Sequence, residues 1–199
     1  IFSIYTTINM AASTIGQFAM SITGVSSYVP FVVGAIAFIC ALIPSALTST
    51  PQPRPIASAK LDIGLLYRTS PLAVIASFAC GMANGTFGTL APVYGVRQGL
   101  DAAGIALLFA VTAIVGAVAQ IPFGRLSDRM DRRMVIVVLS GIAAAAGLLA
   151  LIANPSGWFV FVVFGIYGFS AYPLYAIAVA HANDFARDGE FARVAGGML

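Results

Sequence analysis

The chain has 199 residues, 60% of them hydrophobic and 9% charged, with a mean hydropathy of +0.96, whereas soluble domains carry roughly 25% charged residues. That excludes a water-soluble core, and it assigns the net charge of +3 to loop lysines and arginines that fix membrane orientation rather than to a nucleic-acid surface. Cys40 and Cys80 lie in apolar blocks without CxxC spacing or a nearby histidine, so neither a metal site nor a secreted disulfide framework is implied.

Six apolar blocks approach the roughly 20 residues that cross a bilayer, at about 1–23, 28–47, 71–94, 104–122, 134–152 and 158–180. The fold class they define is all-α, a polytopic transmembrane helical bundle. Every charged residue falls outside them, as expected if a charge at the bilayer centre costs about 2.5–3.5 kcal/mol.

The first block opens at Ile1 with no initiator methionine, basic n-region or small-residue cleavage site, and reads as a span of a chain cut at both ends rather than a signal peptide. Within it Asn9, Ser13 and Gln17 recur every four residues and share one helical face, which should point inward because a polar stripe in lipid is costly. After the second block, residues 48–70 hold Pro51, Pro53 and Pro55, which forbid a continuous helix and favour extended backbone. This segment reads as a linker. Residues 1–47 then supply the last two spans of one bundle, and 71–199 supply the first four spans of a second bundle and the start of the next span, at Gly196–Leu199.

The third block places Asn84 and Thr86 among Gly81, Gly85 and Gly88, with Pro92 further along. Two readings stand side by side: a bent or locally unwound helix presenting an amide and a hydroxyl to a solute, or a small-residue packing seam with Asn84 bonded to a neighbouring helix. Gln120, near the end of the fourth block, reads as a helix-end contact. The last block is rich in aromatics; Trp158 is expected to anchor at the interface, while Tyr167, Tyr172 and Tyr175 either offer hydroxyls to a cavity or pack. His181, Asn183 and Asp184 form a helix-terminal cluster at the membrane surface, too few converging ligands for a metal site.

Nine basic residues (Arg54, Lys60, Arg68, Arg125, Arg129, Arg132, Arg133, Arg187 and Arg193) fall in loops on one side and only Arg97 on the other. By the positive-inside rule, 48–70, 123–133 and 181–199 are cytoplasmic, and 24–27, 95–103 and 153–157 face outward.

The stretch Gly124-Arg125-Leu126-Ser127-Asp128-Arg129-Met130-Asp131-Arg132-Arg133 resembles the major facilitator superfamily signature Gly-x-Leu-Ala-Asp-Arg-x-Gly-Arg-Arg/Lys, with Asp131 where the family has glycine. In that family the signature lies between spans 2 and 3 and a weaker copy recurs between spans 8 and 9. Four spans and a long cytoplasmic linker precede it here, so the resemblance numbers the six spans 5 to 10 of an expected twelve and makes 48–70 the central loop. It implies a latch in which Gly124 allows close helix approach and Asp128, with Arg129, Arg132 and Arg133, closes the cytoplasmic side, Asp128 facing the N-terminus of the first span.

It further implies a cavity lined mainly by spans 7 and 10, with 5 and 8 contributing, whose candidate solute contacts are Asn9, Ser13, Gln17, Asn84, Thr86, Tyr167 and Tyr172. Asp131 is expected either to weaken the tight turn or to add a second carboxylate to the latch. The sequence Tyr-Pro-Leu followed by Ala-His-Ala-Asn-Asp also resembles a bacterial branch often called YcaD-like. Gly16-Gln17 replaces the Gly-Pro of the drug:proton antiporters, which weakens a drug-efflux assignment.

The function these features imply is transport of a small-molecule solute across a lipid bilayer by alternating access, in the bacterial inner (plasma) membrane, by a protein that is a monomer when full length. No cofactor, metal, catalytic residue or nucleic-acid partner is implied. No carboxylate, lysine or arginine lies within a span, so a coupling proton or sodium ion would need residues outside this chain. A channel would need polar or charged rings and an intramembrane enzyme a Gly-x-Ser-x-Gly setting or paired acids; neither pattern is visible.

Overall fold

The computed structural model describes residues 8, 9, 11–13, 15, 16, 27–48 and 63–185. Its elements are α1 (Val29–Leu47), α2 (Ile63–Thr69), α3 (Pro71–Arg97), α4 (Ala102–Arg129), α5 (Arg132–Ala153) and α6 (Trp158–Asp184). Among the described residues α3 to α6 are long and apolar enough to cross a membrane.

Local chemistry sets the helix ends. Ser70 caps α3 by accepting from the Ala73 N–H at 3.4 Å, with Pro71 at the first helical position, where its missing donor is harmless. Asp101 caps α4 through Gly104 N at 2.7 Å. The α3–α4 turn passes through Gly99 at φ 79°, a left-handed conformation that glycine adopts without steric penalty. α5 ends on Asn154 at φ 41°, the residue that best tolerates that region after glycine.

α6 is the centre of the packing and meets α3, α4 and α5. Its closest neighbour is α4. A Cβ at Gly116 would lie 2.9 Å from the Gly168 carbonyl oxygen and 3.0 Å from Tyr172 Cβ, and one at Gly168 would strike the Thr112 carbonyl. Only glycine lets the two backbones approach this closely, the usual device of helix pairs in lipid. The fully buried Gln120 on α4 donates to the Tyr172 carbonyl of α6 at 3.2 Å. It is thus an interhelical clamp rather than the helix-end contact expected from its position.

Toward one end, Leu139, Leu174, Ile177 and Ala178 form a core with Cys80. Toward the other, Phe87, Ala91, Leu108 and Val160 form a second. Large apolar side chains such as Phe78, Leu151 and Ile152 point outward, as lipid-facing residues do, since a bilayer gives no reason to hide them.

The structure departs from the sequence expectation at two places. Residues 123–133 are not a loop: α4 continues through Pro122 to Arg129, and only Met130 and Asp131 separate it from α5. Proline removes one backbone bond, and membrane helices absorb that loss; beyond it, Met130 N–H still reaches the Leu126 carbonyl at 3.0 Å. The linker expected at 48–70 ends in α2, whose Leu66 is buried with Ala73, Val179 and Ala182; the prolines lie earlier, so nothing in Ile63–Thr69 opposes helix. Residues 49–62 lie outside the described residues. No described side chain of α1 is buried.

Candidate functional site

Two polar clusters stand out, one at the signature end of the bundle and one at mid-depth. At the signature end, the short α4–α5 corner brings Asp128 one turn before Arg132, and α6 delivers Asp184 beside them. Arg132 Nη2 lies 3.0 Å from Asp128 Oδ1, and its Nε lies 2.9 Å from Asp184 Oδ2. One guanidinium therefore ties the ends of α4, α5 and α6 together, using the fork of donors that lysine lacks.

Arg132 is largely covered at 21% exposure, whereas Asp128 is 67% exposed and its carboxylate has room for a further partner. Asp131 is the N-cap of α5, accepting from Arg133 N–H at 2.9 Å, with φ −60°; that backbone needs no glycine. Gly124 accepts from the Ser127 hydroxyl at 2.9 Å. Arg129 takes no part in the two bridges. The Arg133 guanidinium lies 5.8 Å from the centre of the Phe185 ring, and His181 meets the same ring edge-on at 5.1 Å. The His181 ring is buried at this end of α6. Asp128, Asp131, Arg132, Arg133, His181 and Asp184 line an open pocket of about 410 Å³.

At mid-depth, Asn84 is the central residue of α3. Its Oδ1 accepts from the Tyr167 hydroxyl of α6 at 3.2 Å, and its Nδ2 donates to Cys80 Sγ at 3.4 Å; the Cys80 thiol continues to the Ala171 carbonyl at 3.6 Å. Phe87 packs on Tyr167, Phe109 and Phe164 with ring centres 5.0–5.6 Å apart.

The structure thus brings Asn84 and Tyr167 together, with Tyr172 within electrostatic range of Tyr167 and Cys80, and leaves Thr86 elsewhere. Thr86 is exposed on the far side of α3, two residues and about 200° around the helix from Asn84. Tyr172 packs against Gly116. Asn9 and Ser13 are helical and exposed, and Gln17 lies outside the described residues. Sequence reasoning missed Asp184 as the third member of the ion cluster, although its position three residues after His181 in the terminal polar run was the available signal. It also missed the Gly116–Gly168 seam.

A bundle of apolar helices of this length, with its charged groups gathered at the helix ends, is a multi-pass membrane protein. The Major Facilitator Superfamily model matches residues 1–198, and the chain belongs to that family. It is 32% identical over 110 residues to an uncharacterized MFS-type transporter of Enterobacter sp. (strain 638), covering 55% of this chain and 28% of that one. It is 28% identical over 117 residues to the uncharacterized MFS-type transporter YcaD of Salmonella paratyphi B, covering 59% and 30%, and matches the Salmonella newport protein of the same name equally. The matched stretch is thus less than a third of the length of these relatives. No solved structure matches the chain.

Proposed function

We propose that this chain is part of a carrier that moves a small solute by alternating access, with the Asp128–Arg132–Asp184 cluster belonging to the latch that closes its cytoplasmic side. The observation that carries the reading is the double engagement of Arg132, which makes the ends of three helices one rigid unit, as a bundle that rocks as a body requires. The excess of arginine at this end supports a cytoplasmic location. Asp128, bridged on one oxygen and otherwise exposed, is free to meet a positive group on the opposing bundle, for which the N-terminus of the first span is the candidate. Asn84 and Tyr167 are the solute contacts this reading favours, with Asn9, Ser13 and Gln17 on the facing bundle.

Partly exposed ion pairs contribute about 0.2–1 kcal/mol each. A contact of Asp128 with the opposing bundle of the same strength is weak enough to break in every cycle while the pairs within the unit persist, and it predicts the size of the effect. In the full-length protein Asp128→Asn shifts the balance toward the cytoplasm-open form by about 1.5- to 5-fold, read as faster maleimide labelling of cysteines placed in the cytoplasmic cavity. Unchanged labelling together with unchanged transport would remove the latch.

A further inference from the structure

The two apolar cores hold the two ends of α6. Leu174, Ile177 and Ala178 pack with α3 and α5 toward the signature end, and Val160 packs with Phe87, Ala91 and Leu108 toward the other. Gly165, Gly168, Ser170 and Pro173 lie between them, and each weakens a helix in its own way. Glycine leaves the backbone least restrained. The Ser170 hydroxyl bonds back to the Ile166 and Tyr167 carbonyls at 3.0 and 3.1 Å, a contact that bends helices. Pro173, inside the helix, has no N–H to give the Phe169 carbonyl one turn earlier. Proline and glycine–serine combinations are the usual sites of helix bending.

That weak stretch is held from outside by side chains. The Tyr167 hydroxyl donates to Asn84 Oδ1 at 3.2 Å, Asn84 Nδ2 donates to Cys80 Sγ at 3.4 Å, and the Cys80 thiol donates to the Ala171 carbonyl at 3.6 Å. The chain of bonds leaves α6 at Tyr167, follows one turn of α3 from Asn84 to Cys80, and returns to α6 at Ala171, one turn from where it left. It therefore bridges the turn that carries Gly168 and Ser170 and ends just before Pro173. From α4, the Gln120 amide donates to the next carbonyl along, that of Tyr172, at 3.2 Å. Cys80, Gln120, Ser170 and Pro173 are all buried, and a thiol is a weak donor and a weak acceptor, so Cys80 is the link that yields first.

We propose that Gly168–Pro173 is a hinge in α6, and that the Tyr167–Asn84–Cys80–Ala171 chain, with Gln120 beside it, is the catch that holds the hinge. Cys80 and Gln120 act through the α6 backbone as positioning residues. The close approach of Gly168 to the Thr112 carbonyl is the fixed point about which α6 turns. Beyond it, Arg132 ties the Asp184 end of α6 to α4 and α5, so a bend swings the Trp158 arm while the signature end stays one unit. The hinge stands whether or not the bundle carries a solute.

The experiment uses the full-length protein in nanodiscs, freed of other reactive cysteines, with spin labels at Phe159→Cys on the outer arm of α6 and Val137→Cys on α5, both exposed positions. Double electron–electron resonance reads the distance between them. Cys80→Ser keeps a donor and an acceptor in the chain, whereas Cys80→Ala removes both. Relative to Cys80→Ser, Cys80→Ala raises the population of a second, bent distance about threefold, as the loss of one interhelical hydrogen bond in lipid gives, and Gln120→Leu in the serine protein does the same. Pro173→Ala restores an N–H to the Phe169 carbonyl and returns the Cys80→Ala protein to the serine distribution. A control pair within the signature half, Ile75→Cys with Val137→Cys, is unchanged throughout. The hinge is overturned if either Cys80→Ala or Gln120→Leu leaves the serine distribution as it was, if Pro173→Ala leaves the second distance in place, or if the control pair spreads equally, which is general loosening of the bundle.

Discussion

Replacing Gly168 by alanine puts a methyl group into the Thr112 carbonyl, with Thr112 Cγ2 2.8 Å away. At Gly116 the added carbon would stand 2.9 Å from the Gly168 carbonyl oxygen and would also press on the Tyr172 ring. Ordinary carbon contacts begin near 3.4 Å, so α4 and α6 would have to part by several tenths of an ångström. Overpacking of this kind costs about 1–3 kcal/mol, against which alanine regains up to about 1 kcal/mol of helix propensity.

The obstacle at Gly168 is backbone, which cannot rotate aside, and there the net loss should reach about 1–3 kcal/mol; at Gly116 part of the obstacle is a side chain, and the loss should be smaller. Gly141 and Gly147 on α5, where a Cβ meets nothing within 4 Å, are the controls and should gain a few tenths to about 1 kcal/mol on becoming alanine. The assay is equilibrium unfolding of the full-length protein in mixed micelles with increasing dodecyl sulfate. Tyr172→Ala in the Gly116→Ala background should recover part of the loss as a coupling of at least about 0.5 kcal/mol. If Gly168→Ala is as stable as Gly141→Ala, the close seam between α4 and α6 is wrong.

Gln120→Leu should lose about 0.6 kcal/mol and at most about 1.7, the range of interhelical hydrogen bonds in lipid, in the same unfolding assay; no loss would mean that the bond to Tyr172 is not made. Asn154→Val should lose about 1–2 kcal/mol because a branched side chain opposes the left-handed backbone, whereas Asn154→Gly should lose only the bond to Gln98, 2.6 Å long and exposed. Maleimide labelling at the signature end should rise between 10 mM and 1 M salt, where the Debye length falls from about 30 Å to about 3 Å, and Arg132→Gln should erase that salt dependence; an equal salt response in the variant would count against the double bridge.

Much of the fold was legible because bilayer physics is one-dimensional. Length, apolarity and exclusion of charge located α3 to α6 to within a few residues in their cores, since each depends only on the transfer cost of a segment. The end of α4 was misjudged where the charged signature stretch was read as a loop: the helix runs on through Pro122 to Arg129, because in lipid an interrupted helix still satisfies more backbone than any loop could. The signature residues were found at the right place, but as the last turns of α4 and the first of α5 rather than as a loop.

Whether Asn84 faces a helix or a solute was open in the sequence. The partner turned out to be Tyr167, 83 residues away, so half of the packing reading holds for the amide, while the glycines around it have no close neighbour among the described residues.

What the sequence determined by itself was the medium: a chain with no charge in its apolar blocks and arginines at one side belongs in a membrane, and its signature stretch carried the family. Only the tertiary structure decided which glycines are contacts. Gly81, Gly85 and Gly88 look in sequence like a seam, and Gly116 and Gly168 do not, yet it is the second pair at which two backbones touch. The physical reason is that glycine is defined by what is absent, and an empty position acquires meaning only from the helix that does, or does not, come to fill it.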